Sequence, residues 1–185
     1  MSRRWQRLSR HEVLTTPIFS IHEQLCRSPR TGLDHPFFLL ETADWVNVIP
    51  ITDDEQVVMV RQYRHGRDET TLEIPGGMID PEDADPAHAA RRELLEETGF
   101  RAGELRCLGA IAPNPAVQTN LCHTFVATGL QSVAELSMDV TEDLDVLTLP
   151  LAEVPSRIAS GEISHALVVV AFCFYLGLGR PVSPR

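Results

Sequence analysis

A glycine loop followed by an acidic helix, together residues 76–100, constrains this chain more than any other stretch. The dipeptide Asp85-Pro86 is typical of a helix start, with Asp85 as the N-cap and Pro86 in the first helical position. Gly99 predicts the helix end, because the residue that closes a helix often takes a left-handed conformation, which glycine adopts most readily. The sequence therefore predicts a capped helix between Asp85 and Gly99, directly behind the glycine loop.

Three glutamates in the second half of this helix, Glu93, Glu96 and Glu97, are spaced to share one face. Carboxylates clustered in this way repel one another and weaken an isolated helix. One interpretation is a solvated acidic face. The other is a site for a hard cation such as Mg²⁺ or Mn²⁺, which prefers oxygen ligands. Arg92 lies one turn before Glu96 and is placed to orient it through a forked hydrogen bond.

The glycine pair Gly76-Gly77 favours the metal interpretation. Neither residue carries a Cβ atom, so the backbone carbonyls of this loop can approach a cation closely. We therefore interpret the loop and the helix together as a metal site.

The helical half of this stretch, residues 92–100, resembles the box of the Nudix hydrolases. That box has a glycine, five residues, a glutamate and seven residues before Arg-Glu-apolar-x-Glu-Glu-x-Gly-apolar, and the second half matches here at every position. The first half departs, because Gly77 and Arg92 are one residue further apart than in the family. Asp83 stands where the first family glutamate is expected, with Glu82 beside it. An additional residue before the helix explains this spacing and leaves the first acidic position open between the two.

A second segment is similar to one branch of that family, the ADP-ribose and nucleoside-diphosphate-sugar pyrophosphatases. The run Arg61-Gln62-Tyr63-Arg64, followed by Glu73-Ile74-Pro75-Gly76-Gly77, carries the resemblance, although the branch usually has Pro-Ala-Gly at the loop. Pro115 lies 16 residues after Gly99, where the same branch characteristically has proline. Arg64 is either a solvated strand end or a phosphate ligand, and we favour the phosphate role because a planar guanidinium suits phosphate oxygens. Arg61 stays open between these roles, and Glu73 is expected to pair with a nearby arginine.

The resemblance implies metal-dependent hydrolysis of a nucleoside diphosphate linked to another group. ADP-ribose is the leading candidate substrate, with AMP and ribose 5-phosphate as products and Mg²⁺, alternatively Mn²⁺, as the cofactor. Enzymes of this kind use a glutamate from a loop near residues 141–145 as general base; Glu142 is the candidate, Asp143 the second, and a solvated turn the alternative. The residues expected to act are Arg92, Glu93, Glu96, Glu97 and Glu142 in catalysis, Arg61, Arg64 and Pro115 in substrate binding, and Gly76, Gly77, Glu93, Glu96 and Glu97 as metal ligands.

Two other functions remain open from the sequence. The chain is alternatively a nucleoside-triphosphate pyrophosphatase or an enzyme of a different sugar nucleotide, because the segments that read base and sugar cannot be placed. From another class, it is a catalytically silent nucleotide-binding module. The intact carboxylate cluster argues against the silent module, which has no need of a self-repelling cluster.

The predicted fold is of the α/β (α+β) class, a Nudix-type α/β/α sandwich with a mixed sheet and extra N-terminal strands. The resemblance covers about residues 45–178, so we divide the chain into an N-terminal strand extension, residues 1–44, and a hydrolase domain, residues 45–185. The branch commonly dimerises by exchanging N-terminal strands, which implies a homodimer. Residues 1–10 are expected to be frayed. Strands are predicted at 12–26, 37–41, 45–51, 56–63, 72–74, 105–111, 120–128 and 145–149, and further helices at 151–160 and 165–176.

Composition excludes several other classes. A net charge of −10 argues against general nucleic-acid binding, which depends on basic side chains that neutralise phosphates. The four scattered cysteines indicate buried free thiols in a reducing cytosol. No apolar run follows Arg3 and Arg4, and residues 166–176 are too short to span a bilayer, so a cytoplasmic protein without a membrane partner is expected.

Overall fold

The computed structural model describes residues 4–133 and 144–179, and the chain divides into two compact units. The first unit combines Met1–Ala43 with Ala112–Leu121. The second combines Asp44–Ile111 with Cys122–Arg185. No helix in the described part of the chain is long and apolar enough to cross a membrane.

The first unit is built on a three-stranded antiparallel sheet, with β2 in the centre. Its strands are β1 (Gln6–Thr15), β2 (Ser20–Arg27) and β3 (Asp34–Glu41). The segment 112–121 joins this unit because the amide of Leu40 donates to Val117 O, at 2.8 Å. The expectation that residues 1–10 are frayed is wrong from Gln6 onward, since this strand pairs with β2 along its whole length.

The second unit contains nine strands and three α-helices within its described residues. A four-stranded mixed sheet has the order β7-β4-β10-β9, in which β4 and β10 are parallel, and a three-stranded antiparallel sheet has the order β12-β5-β6. The strands are β4 (Trp45–Pro50), β5 (Gln56–Arg64), β6 (Glu69–Glu73), β7 (Gly76–Met78), β8 (Phe100–Arg101), β9 (Glu104–Ile111), β10 (Cys122–Thr128), β11 (Gln131–Ser132) and β12 (Leu144–Pro150). The helices are α1 (Pro86–Thr98), α2 (Val154–Ser160), which follows a 3₁₀ turn at Leu151–Glu153, and α3 (Ala166–Tyr175).

Strand β4 sends alternate side chains into two hydrophobic cores, as the two-residue period of a strand requires. Val46 and Val48 belong to the core that contains Leu94 of α1. Ile49 belongs to the other core, which contains Phe172 of α3. The mixed sheet of this unit therefore lies between α1 and α3, as predicted for an α/β/α sandwich.

The glycine pair forms a strand, not the loop that the sequence suggests. In β7, Gly76 pairs with Asn47 and Gly77 with Val46 of β4. A Cβ atom on Gly76 would overlap the carbonyl oxygen of Val46, so the close approach of the two backbones requires glycine there. The short pair of β8 and β11 was also not predicted, because two-residue strands carry no hydrophobic period.

Candidate functional site

Helix α1 begins and ends where the sequence predicts. The Asp85 carboxylate accepts a hydrogen bond from the amide of His88 at 2.8 Å, and Pro86 occupies the first turn. Gly99 closes the helix in the left-handed conformation, with φ of 71°, and its amide donates to Leu95 O. These caps set the bounds of the helix, and its contacts with β7 bring Glu93 and Glu97 against the glycine pair.

Two of the three helical glutamates are buried against that pair. Glu97 is 2% exposed, and its Oε2 accepts a hydrogen bond from the amide of Gly76 at 3.0 Å. Glu93 is 7% exposed, and its carboxylate occupies the space that a Cβ on Gly77 would need. A buried carboxylate is costly unless it is paired or binds a metal. The prediction of one shared face is thus correct for Glu93 and Glu97, whose carboxylates are buried because the glycine pair has no side chains in that space.

Arg92 connects the acidic side chains of this cluster through hydrogen bonds. Its Nη1 donates to Glu93 Oε1 at 2.9 Å and to Glu96 Oε2 at 3.0 Å, and its Nη2 donates to Met78 O at 3.0 Å. The forked hydrogen bond, however, goes to Asp83, from Nε at 3.3 Å and Nη2 at 2.8 Å. The expectation that Arg92 grips Glu96 with a fork is therefore wrong, because Glu96 is partly exposed and receives a single bond.

Asp83, and not Glu82, meets Arg92. The Asp83 side chain is 2% exposed and accepts a hydrogen bond from the amide of Asp80 at 2.9 Å. His88 Nδ1 lies 2.6 Å from the same carboxylate and donates to it in the tautomer that carries a proton on Nδ1. The hydrogen bond from Arg92 lowers the pKa of Asp83 far below its usual value, against the opposing effect of burial, and those from His88 and Asp80 lower it further. Glu82 is exposed. The additional residue before the helix is thus absorbed in the loop, and the shorter aspartate reaches the arginine.

The residues at this point fit a hard divalent cation by donor type. Glu93, Glu96 and Glu97 offer carboxylate oxygens beside the backbone of Gly76 and Gly77, the ligand chemistry that Mg²⁺ prefers. Within residues 4–133 and 144–179, no group of three or more His, Cys, Asp or Glu is already arranged around a metal position. Instead, Arg92 is hydrogen-bonded to Glu93 and Glu96, and the amide of Gly76 is hydrogen-bonded to Glu97. The ligand roles therefore stay predictions.

A second arginine–carboxylate fork joins β5 to β6. Arg64 donates to Glu73 from Nε at 2.7 Å and from Nη2 at 2.8 Å, and the Thr71 hydroxyl donates to the same carboxylate at 2.6 Å. Burial alone would raise the pKa of Glu73, but the hydrogen bonds from Arg64 and Thr71 lower it below its usual value. The expected pairing of Glu73 with an arginine is confirmed. Arg61 is exposed, and the phosphate roles of both arginines stay predictions.

One cavity of about 280 Å³ connects the fork to the glycine pair. Arg64 and Glu73 line it on one side, and Gly76 and Gly77 also contribute to its wall. Sequence reasoning missed Asn47 and His165, which line the same cavity. The available signal was Asn47, which is the only residue with a side-chain amide in the otherwise apolar strand β4 and is buried there.

Several predicted residues lie elsewhere. Glu142 and Asp143 lie outside the described residues. Pro115 belongs to the first unit, and its part in substrate binding stays a prediction. Cys107 is exposed, which corrects the expectation of buried thiols, since it lies on β9 with its side chain toward solvent; Cys26 and Cys122 are buried.

Comparisons with known proteins agree with this geometry. The family model for the NUDIX domain matches residues 42–168. The methanol dehydrogenase activator of Bacillus methanolicus is 34% identical over 127 residues, and the ADP-ribose pyrophosphatase of Bacillus subtilis is 32% identical over 128; each match spans 68% of both chains. A solved structure described as an ADP compounds hydrolase superposes with a TM-score of 0.82 at 25% identity, over 96% of this chain and 97% of that one. The predicted fold is thereby confirmed.

Proposed function

The chain belongs to the NUDIX domain family, and on that basis we propose that it hydrolyses the diphosphate bond of a nucleoside diphosphate linked to another group. ADP-ribose is the first candidate substrate, with AMP and ribose 5-phosphate as products. One observation carries the proposal: Arg64 and the glycine pair, against which the carboxylate helix packs, line a single cavity. An anionic diphosphate in that cavity would meet the Arg64 guanidinium and would lie close to the glycine pair, beside which a metal ion would be held.

The box residues supply the ligands of the proposed cation site. Glu93, Glu96 and Glu97 would hold Mg²⁺, or alternatively Mn²⁺, together with a carbonyl of Gly76 or Gly77. When bound, the cation neutralises diphosphate charge and lowers the pKa of a bound water. Arg92 keeps Glu93 and Glu96 side by side through its Nη1, which reduces the repulsion of adjacent carboxylates.

Two further groups complete the proposed chemistry. The fork to Glu73 holds the Arg64 guanidinium in one orientation at the cavity wall, so little side-chain entropy is lost when it binds a phosphate oxygen. Arg61 and Pro115 are proposed to contribute to substrate binding. Glu142, or one of the helical carboxylates, accepts the proton of the attacking water.

A substrate panel tests the proposal. Purified protein is incubated with Mg²⁺ and with ADP-ribose, other nucleotide sugars, dinucleotides and nucleoside triphosphates, and the products are separated by chromatography. We expect the highest kcat/KM with ADP-ribose and equimolar AMP and ribose 5-phosphate. A preference for nucleoside triphosphates would replace this assignment with a triphosphate pyrophosphatase, and thermal stabilisation by nucleotides without product would indicate the silent module.

We also propose that the chain forms a homodimer in the cytoplasm through its N-terminal extension, residues 1–44. The first unit exposes many large apolar side chains, which burial against a second copy of the chain would remove from water. They are Trp5, Leu8, Val13, Leu14, Ile18, Leu33, Phe37, Phe38 and Val117. Light scattering that gives a monomer mass across a broad range of concentrations would refute the dimer.

A further inference from the structure

The cavity beside the glycine pair contains two buried polar atoms that the proposed chemistry does not use. Asn47 is 6% exposed, and its Oδ1 has no hydrogen-bond partner among the described residues. His165, the residue before α3, has a buried Nδ1 that also lacks a partner there. Four such side-chain atoms occur in the described ranges, and the residues that carry these two, Asn47 and His165, both line one cavity.

Buried polar groups of folded proteins are nearly always hydrogen-bonded, because a group taken out of water without a partner is unfavourable. An exception on a residue that lines a cavity calls for a specific explanation. A ligand that enters the cavity and supplies the missing partners is the simplest one, since apolar side chains such as Trp45 and Val168 contribute much of the remaining wall, as in a small-molecule site.

Both atoms are hydrogen-bond acceptors. Asn47 Nδ2 donates to Leu167 O at 3.4 Å, which assigns the amide orientation and leaves Oδ1 as the acceptor. His165 Nε2 is 3.9 Å from Glu73 Oε2, so the negative charge of that carboxylate favours the tautomer with its proton on Nε2, which leaves Nδ1 as an acceptor. Burial lowers the pKa of His165, and Arg64 lowers it further, against the opposing effect of Glu73, which favours the neutral imidazole. The missing partners are therefore donors.

We propose that Asn47 and His165 are specificity-determining residues that accept hydrogen bonds from a donor-bearing group of the substrate. Two parts of a nucleoside diphosphate derivative have this chemistry: the hydroxyls of the distal sugar and the exocyclic amino group of the base. The inference rests on the proposed function for the identity of the substrate, and it adds which residues select it. Both groups are uncharged donors, which fits two neutral acceptors; Arg64, held by Glu73 in the same wall, remains the residue proposed for the diphosphate.

Two variants remove one acceptor each with little change in size, Asn47→Leu and His165→Phe. His65→Phe is the matched control, because His65 is exposed and does not line the cavity. Each protein is assayed on two substrate pairs. The first pair is ADP-ribose and its analogue with unsubstituted purine as the base, in which hydrogen replaces the amino group of adenine. The second is ADP-ribose and its analogue with one distal-ribose hydroxyl replaced by hydrogen.

The quantity compared is the ratio of the two kcat/KM values within one substrate pair. The wild-type protein and His65→Phe prefer the donor-bearing member by roughly tenfold, the discrimination that one hydrogen bond provides. Asn47→Leu and His165→Phe reduce that ratio toward one in a single pair, and the pair affected tells whether sugar or base occupies the cavity. The ratio is taken within one sample, so it does not depend on the fraction of folded protein. Unchanged ratios in both variants, or no preference by the wild type in either pair, overturn the proposal.

A binding measurement separates this inference from the proposed activity. Dissociation constants of the non-hydrolysable α,β-methylene analogues of the same compounds are measured by calorimetry with a chelator present. If the protein cleaves no nucleotide derivative but the variants still lose discrimination in binding, the assignment of the specificity residues stands and the proposed function is wrong. Cleavage of ADP-ribose with unaltered discrimination in the variants does the reverse.

Discussion

The second unit contains two forks of the same chemistry, Arg92 with Asp83 and Arg64 with Glu73. In both, a guanidinium makes two hydrogen bonds to a carboxylate whose side chain is at least 96% buried. The carboxylates differ in what else they hold, since Asp83 fixes the loop before α1 while Glu73 fixes the cavity wall.

The arginines differ more. Arg92 donates to acceptors on four residues, its side chain is 24% exposed, and it joins the loop to the helical glutamates. Arg64 is 39% exposed at its side chain and lines the cavity. One fork therefore braces the loop and helix that carry the proposed cation ligands, and the other places a charged group in the wall of the cavity. Identical pairing chemistry does not identify a role; the surroundings of the guanidinium do.

The largest effect is expected from the helical carboxylates that pack beside the glycine pair. Glu97→Gln keeps the shape of the side chain and an oxygen for the amide of Gly76, but removes the charge needed for a cation. We expect kcat for ADP-ribose to fall by at least about 100-fold, a loss typical of one essential electrostatic group. Steady-state kinetics with Mg²⁺ and thermal unfolding measure turnover and fold together. Glu82→Gln, an exposed change on the preceding loop, serves as the control and should retain wild-type turnover; a fully active Glu97→Gln protein would remove the metal assignment.

The scaffold role of the first fork predicts a loss of stability. Arg92→Ala leaves Asp83 and Glu93 buried without this counterion, so we expect the free energy of unfolding to fall by roughly 3 kcal/mol. Urea denaturation followed by circular dichroism provides the measurement. Arg91→Ala is a neighbouring control on the same helix, where the guanidinium donates to Ala102 O and pairs with no carboxylate in the described structure. Equal destabilisation by the two changes would mean that the fork contributes nothing beyond helix packing.

The second fork predicts a change in substrate binding instead. Arg64→Lys keeps the positive charge near Glu73 but loses the planar fork, so we expect KM for ADP-ribose to rise about tenfold while kcat changes little. Arg67→Lys, at an exposed pair with Glu69, should leave both constants unchanged. A fall in kcat at constant KM would place Arg64 with the catalytic groups, and the contrast between the forks would disappear.

Local patterns were enough to predict the helix and its carboxylates. The caps at Asp85 and Gly99 depend on neighbouring residues, and the spacing of Glu93, Glu96 and Glu97 is a property of the helix itself. Strand β5 was also recognisable, because Val57–Val60 form an apolar run that the structure buries completely. Each of these features is encoded within a few residues.

Features decided by distant contacts were not predictable. Asp83, and not Glu82, binds Arg92, which lies nine residues later in α1. The path of the loop that brings Asp83 to Arg92 is not encoded in the residues next to Asp83. Asn47 and His165 lie more than 100 residues apart and reach one cavity only through the packing of α3 on β4. The glycine pair has a composition typical of turns, and its strand exists because β4 pairs with it. The domain division at residue 44 and the general base at Glu142 stay predictions.

The smallest effect distinguishes the forks by acid titration. Each carboxylate has a lowered pKa in the folded protein, so each contributes stability that is present above its unfolded pKa and lost as the pH falls. Unfolded values of about 4.3 for glutamate and 3.9 for aspartate set the upper limits of the two windows. The stronger lowering at Asp83 extends its window to more acidic pH than that of Glu73. Unfolding free energies measured from pH 6 to pH 2 should therefore show a shallower slope near pH 4 in Glu73→Gln and a shallower slope at the acidic end in Asp83→Asn. Because Asp83 interacts with Arg92, His88 and Asp80 together, the same slope in both variants would mean that these neighbours do not hold it more tightly than Arg64 and Thr71 hold Glu73.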